Sequence, residues 1–301
     1  MENRKRLLSR PAQKTCHWLI CCIILVLCLT GTSVAKSILW KAEQGDHTLY
    51  IMGSVHVLKA SHYPLAPALE DAYSASDTIA FEVDISESES PATAQLFMNQ
   101  GMYQNGQILQ DNISAQTLKE LQQYLATIQI SANMFKRMKP PLCAMTISMM
   151  EMQRLGFEPK YGLDTYFSKK AQQDGKKMAA LETIDFQIKL FFDQSPADQE
   201  LFLKQTLAEM SLMQGIMSQM AAAWLTGDTE TLHTLFFESF ADFPEFYDRL
   251  LLQRNQNWIS KIMALNRANE TTLIIVGAAH LVGKGSVIDL LKQRGYSFRQ
   301  L

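Results

Sequence analysis

Short apolar runs mark the two ends of the chain, and a long middle stretch repeats its apolar residues every three or four positions. Near the amino end, Ser37–Trp40 and Thr48–Met52 flank Gly45-Asp46 as the arms of a hairpin. The spacing predicts a helix after Pro64, over Leu65–Tyr73, and then a strand within Thr78–Asp84. Strand, helix and strand in that order make a parallel pair. From about residue 90 to 267 the period is helical, through 118–128, 141–155, 164–173, 196–225, 229–240 and 244–263, with Gly, Pro and Asp at the joins. Lys177–Glu182 interrupts this stretch as a short strand. The chain closes with a strand at Thr272–Val276, a helix over Gly285–Gln293 and a strand at Tyr296–Gln300. The expected fold class is α/β (α+β), a central mixed β-sheet flanked by helices and carrying a large helical insertion.

The first 35 residues follow a different rule. Arg4, Lys5, Arg6, Arg10 and Lys14 precede an unbroken apolar run from Trp18 to Leu29, and Ser33-Val34-Ala35 supplies the small residues of a cleavage site. The run is shorter than the about 20 residues a spanning helix needs. A signal peptide over 1–35 is therefore expected, with export to the periplasm or beyond and no stable membrane insertion of the domain at 36–301. Leu27 stands before Cys28 where a lipoprotein carries a small residue, which argues against lipidation.

Composition narrows the chemistry. The 301 residues are 47% apolar and 19% charged with a net charge of −2, ordinary for a globular chain. Removing residues 1–35 takes away five basic side chains and one acidic, leaving 23 Lys and Arg against 29 Asp and Glu. No basic patch remains outside the amino terminus, so nucleic acid is not an expected partner. Of the cysteines only Cys143 lies beyond residue 35, which rules out a disulfide within the domain and a Cys-based zinc cage. Any metal has to be held by His and carboxylates. Met210, Met213, Met217 and Met220 fall on one helical face and read as core or groove filling.

Two Gly-x-x-His tetrapeptides occur, Gly53 to His56 and Gly277 to His280, each directly after an apolar strand. Glu82 also sits near a strand end, flanked by Phe81 and Val83, where an acid is costly unless paired or functional. Reactive groups collect beyond the carboxyl ends of parallel strands. Two imidazoles and a carboxylate can hold a divalent ion and leave a position open for water. His56, Glu82 and His280 are thus the candidate catalytic and metal residues, with structural histidines as the alternative. Asp84 is either a second ligand or an ordinary strand-end acid. Ser54 and Ser286 lack a Gly-x-Ser-x-Gly elbow, so a serine nucleophile is not expected. Ser54 and His62 remain candidates for contact with substrate. Lys284-Gly285 opens a helix able to bind an anion, or is a plain loop.

Several motifs in order resemble the TraB/GumN family, which includes the TIKI proteases of animals. They are Leu39-Trp40-Lys41, Met52 to His56, Phe81 to Asp84, Tyr161-Gly162-Leu163-Asp164, Leu181-Glu182 with Gln187, Arg254-Asn255 with Trp258, Val276 to Gly283 and Leu290 to Tyr296. The resemblance implies a metal-dependent hydrolase, in first place a peptidase, with His56, Glu82 and His280 around a Mn, Co or Zn ion. A distant resemblance to erythromycin esterase-like hydrolases implies a metal-free alternative. There His56 is a general base and Arg254 stabilises negative charge, although Arg254 also reads as an exposed helix charge. A third reading is a protein that binds and sequesters a peptide without cleaving it. The substrate is accordingly a peptide or a small ester or amide. Asp164 is explained by N-capping, and Glu182 is a weaker fourth site candidate.

Overall fold

The computed structural model describes residues 36–240, 244–267 and 269–301. The signal-peptide reading of residues 1–35 lies outside the described residues. Six strands form one sheet: β1 (Leu39–Gln44), β2 (His47–Ser54), β3 (Thr78–Phe81), β4 (Lys177–Ala180), β5 (Thr272–Gly277) and β6 (Ser297–Gln300). Their spatial order is β4-β3-β5-β2-β1-β6. β2, β5, β3 and β4 run parallel, and β1 is antiparallel to both of its neighbours. The sheet is therefore mixed and the class is α/β, as expected.

The order of strands follows from their composition. Leu273, Ile274, Ile275 and Val276 of β5 are completely buried, as a strand covered on both faces requires. Lys177 and Ala180 of β4 are exposed, which suits an edge. Gly45 supplies the left-handed φ of +58° that turns β1 into β2.

The four parallel strands end along one rim. Register places Phe81 beside both Ile275 and Ala180, and Ser54 beside Gly277. The residues that follow, His56, Glu82, Glu182 and His280, consequently emerge on the same side of the molecule.

Helices fill the chain between Ile85 and Leu265 apart from β4 and the loops, and they bring a core of their own. In it Leu121, Leu125, Phe135, Cys143, Ile147 and Leu203 pack together, with Cys143 a free buried thiol. The expected helix over 196–225 is two helices, Pro196–Glu209 and Met213–Thr226. The four methionines therefore do not share one helix face. Met217 instead packs with Val57 and Phe157, and Met220 against the main core. The expected helix over 244–263 is also divided: Asp248–Leu252 is a π-turn in which the Gln253 N–H reaches back to the Asp248 carbonyl. Such turns widen the backbone and frequently mark functional sites. Pro91–Gly101 and Ile184–Phe192 are helices that spacing alone did not pick out. Among the described residues no helix is long and apolar enough to cross a membrane.

Candidate functional site

Glycine shapes the rim before any side chain acts. A Cβ on Gly53 would stand 2.2 Å from the Ile38 side chain, and one on Gly162 would stand 2.2 Å from the His56 carbonyl oxygen. Both positions therefore need the missing side chain to let backbones touch. With that contact made, the Leu163 N–H donates to the Val55 carbonyl at 3.1 Å and draws the start of helix Leu163–Gln173 against the loop after β2.

That helix delivers Asp164 to His56. The His56 Nδ1 lies 2.9 Å from Asp164 Oδ2, so Nδ1 carries the proton and Nε2 faces outward on a ring that is 73% exposed. Asp164 is not the N-cap expected from its position; Gly162 occupies that place without a side-chain bond. The Asp164 carboxylate raises the His56 pKa from 6.5 to about 9, against desolvation and Arg254, with Glu82 assisting. Solvent around the exposed ring limits how much of this rise is felt.

A second group lies deeper. Glu82, at the end of β3, accepts the Gly277 N–H at 2.7 Å through Oε1, and Gln187 Nε2 at 3.0 Å and Arg254 Nη2 at 2.5 Å through Oε2. Arg254 is buried, not the exposed helix charge that was one reading of it, with 5% of its side chain accessible. All of its N–H groups are engaged. Nε donates to Glu182 at 3.1 Å, Nη2 also to Glu182 at 2.6 Å, and Nη1 to the Leu250 carbonyl at 2.8 Å. Leu250 belongs to the π-turn. The remaining Nη1 hydrogen points to His280 Nε2 at 3.1 Å. His280 Nε2 is therefore an acceptor, and its Nδ1–H donates to Asn255 at 2.6 Å. Trp258 closes the group, donating to Glu182 at 2.9 Å with its ring 4.4 Å from that of His280.

Burial, the largest effect on Glu82, opposes ionisation, but the charges of His280, Arg254 and His56 and the Gly277 N–H outweigh it and bring the pKa down to about 2. Burial lowers His280 to about 3 against the pull of Glu82. His280 is then neutral at pH 7, and Arg254 carries the compensating charge. Both depressed values stabilise the fold at neutral pH and withdraw that stability on acidification. His280 contributes between 6.5 and about 3, and Glu82 between 4.5 and about 2. The unfolding midpoint is expected to fall steadily from pH 7 to pH 4, and the slope above pH 5 to flatten in His280→Gln. An equally steep slope in that variant would remove His280 as its source.

The remaining candidates separate. Ser54 is 2% exposed, and its Oγ finds no hydrogen-bond partner among the described residues. It pairs with Gly277, whose missing Cβ would face Glu82 Oε1 at 3.2 Å, so Ser54 shares the face on which Glu82 lies. His62 Nδ1 accepts the Lys59 N–H at 3.2 Å, and its ring lies 6.0 Å from that of Phe157. Asp84 is no ligand in this arrangement: it caps helix Ile85–Ser88, accepting the Ser86 N–H at 2.9 Å. Ser286 caps helix Val287–Lys292, and Asp289 already takes the Gly285 N–H, which leaves no anion site there. Sequence reasoning missed the Asp164–His56 pair and gave no role to Gln187, Asn255 or Trp258, which entered only as motif residues. The spacing of Arg254 and Trp258, four apart on one helix, was the available signal.

The three proposed metal ligands do not fit an ion in this arrangement. The His280 Nε2 lone pair faces the Arg254 guanidinium, and Glu82 accepts from Arg254 and Gln187 through Oε2 and from Gly277 through Oε1, which leaves the His56 Nε2 and one lone pair of Glu82 Oε1. Among the described residues no group of three His, Cys, Asp or Glu side chains is placed to hold one.

Residues 38–300 match the family model described as the TraB/PrgY/gumN family. Uncharacterized protein YbaP of Escherichia coli (strain K12) is 27% identical over 252 residues, covering 82% of this chain and 89% of YbaP. Metalloprotease TIKI2 of Danio rerio is 20% identical over 317 residues, covering 87% of this chain and 60% of that protein. Metalloprotease TIKI1 of the same fish is 21% identical over 328 residues, covering 89% and 64%. No solved structure matches.

Proposed function

This chain belongs to the TraB/PrgY/gumN family, and from that membership we propose that it is an exported hydrolase acting on peptides, with His56 as the group that moves the proton. The observation that carries this reading is a solvent-facing Nε2 on a ring whose other nitrogen is held by Asp164, at the rim of a buried charged cluster. A carboxylate that fixes one imidazole nitrogen leaves the other in the tautomer able to accept a proton. In the proposed step His56 takes a proton from water as its oxygen attacks the scissile carbonyl, and returns that proton to the departing amine. Arg254 is a fixed positive charge near enough to His56 to oppose its protonation, and acts on the developing oxyanion through its field, since its N–H groups are already engaged. The names of the animal relatives support a peptide substrate, and the basic, then apolar, amino-terminal segment supports action outside the cytoplasmic membrane.

The raised His56 value has a consequence. Much of His56 is protonated at pH 7, so turnover is expected to climb with pH along a limb whose apparent pKa lies between 6.5 and about 9. The test is cleavage of a quenched-fluorescent peptide library by the purified protein across this range. Asp164→Asn is expected to shift the limb toward 6.5 while lowering the plateau. A library left intact at every pH would end the hydrolase reading, and an unshifted limb in Asp164→Asn would end the His56 assignment.

A further inference from the structure

A divalent ion shared by Glu82 and His280 would need His280 Nε2 and a Glu82 oxygen, and Oε1 lies 3.9 Å from that nitrogen. Arg254 stands against both residues, its Nη1 3.1 Å from His280 Nε2 and its Nη2 2.5 Å from Glu82 Oε2. The guanidinium is planar and delocalised, and its fork of donors spans the two acceptors as one ion would. It is also tethered. Glu182 grips its Nε and Nη2, the Leu250 carbonyl takes the other Nη1 hydrogen, and its Cζ lies 4.8 Å from the Trp258 ring centre. A swing that vacated the cleft would break every one of these bonds and leave Glu82 and Glu182 as buried, unpaired carboxylates. A second cation placed beside Glu82 and His280 with Arg254 still there would meet it at contact distance, in a low-dielectric cleft that strengthens repulsion.

We infer that the Arg254 guanidinium is the resident cation of this site, seated where the family resemblance would put a metal, and that the wild-type protein takes no divalent ion at His56, Glu82 and His280. The inference concerns binding alone and holds whether or not a peptide is cleaved, so a failed library screen leaves it standing. It also predicts what removing the guanidinium does. Arg254→Met frees the lone pairs of Glu82 and His280, leaves Glu82 and Glu182 with uncompensated charge, and opens a site that a small dication can fill.

The experiment titrates the purified protein with MnCl2, CoCl2 and ZnCl2 by calorimetry and follows thermal unfolding with and without each ion and with EDTA. For the wild type the expected result is no binding that depends on His280 and an unfolding midpoint that neither the ions nor EDTA move. In Arg254→Met the midpoint is expected to rise by several degrees with at least one ion, and His280→Ala in that background to abolish the rise. Stoichiometric binding to the wild type that disappears in both Glu82→Gln and His280→Ala would overturn the inference. So would a folded Arg254→Met protein indifferent to all three ions. Should Arg254→Met not fold, the wild-type titration decides.

Discussion

His56→Ala is expected to lower kcat/KM on any peptide the protein cleaves by about 10²–10⁴-fold, the range general acid–base catalysis contributes. The cost to the fold should be smaller than for a buried member of the cluster. The ring is 73% exposed, so little packing is lost, and leaving the buried Asp164 carboxylate without its hydrogen bond costs about 1–3 kcal/mol. This separation of effects makes the substitution informative. A buried member of the cluster would lose activity and stability together, and no kinetic measurement could then tell chemistry from collapse. The comparison should be made near pH 8, where more of the wild-type imidazole is in its basic form than at pH 7. A variant retaining wild-type kcat/KM there would take His56 out of the mechanism and leave its exposed Nε2 without a role.

The largest effect on stability is expected from Arg254→Met. Removing one partner of a buried ion pair costs about 3–5 kcal/mol, because the other charge stays behind without solvent. Here two carboxylates stay behind, Glu82 with 10% and Glu182 with 7% of the side chain accessible. At roughly 2–4 °C per kcal/mol for a domain of this size, the unfolding midpoint should drop by about 10 °C or more. The pH dependence should also change sign. The wild type loses stability on acidification, as argued for Glu82 and His280. In the variant the two unpaired acids gain by taking up protons, so its midpoint should move closer to that of the wild type as the pH falls from 7 toward 5. A midpoint within a degree or two of the wild type at pH 7 would mean that water or another cation replaces the guanidinium at little cost, and the cluster would not be the buried pair its geometry describes.

The rim of the sheet was legible because it is written locally. Apolar runs at 49–52, 78–81 and 273–276 announce buried strands, and a glycine or an acid directly after each shows where the strand stops. Strand ends of parallel strands are where sites form, so His56, Glu82 and His280 could be picked out together. Helices were legible where apolar spacing was regular and failed where it was not, as at the break between Glu209 and Met213 and at the π-turn. Asp164 shows the limit most plainly. By position it belongs to the first turn of a helix, where an acid favours the dipole, and nothing in its neighbours points to an imidazole 108 residues earlier.

Residue order alone therefore determined the class of fold, the strands that carry the candidate side chains, and the grouping of His56, Glu82 and His280. Tertiary structure decided their chemical states. Whether Glu82 and His280 offer their lone pairs to a metal or to a guanidinium depends on Arg254, which comes from a helix 172 residues after Glu82. The physical reason is one of range. Strand and helix patterns reflect neighbours a few residues apart, whereas ionisation and hydrogen-bond partnership depend on charges and burial within a few ångströms in space, which only the folded chain brings together.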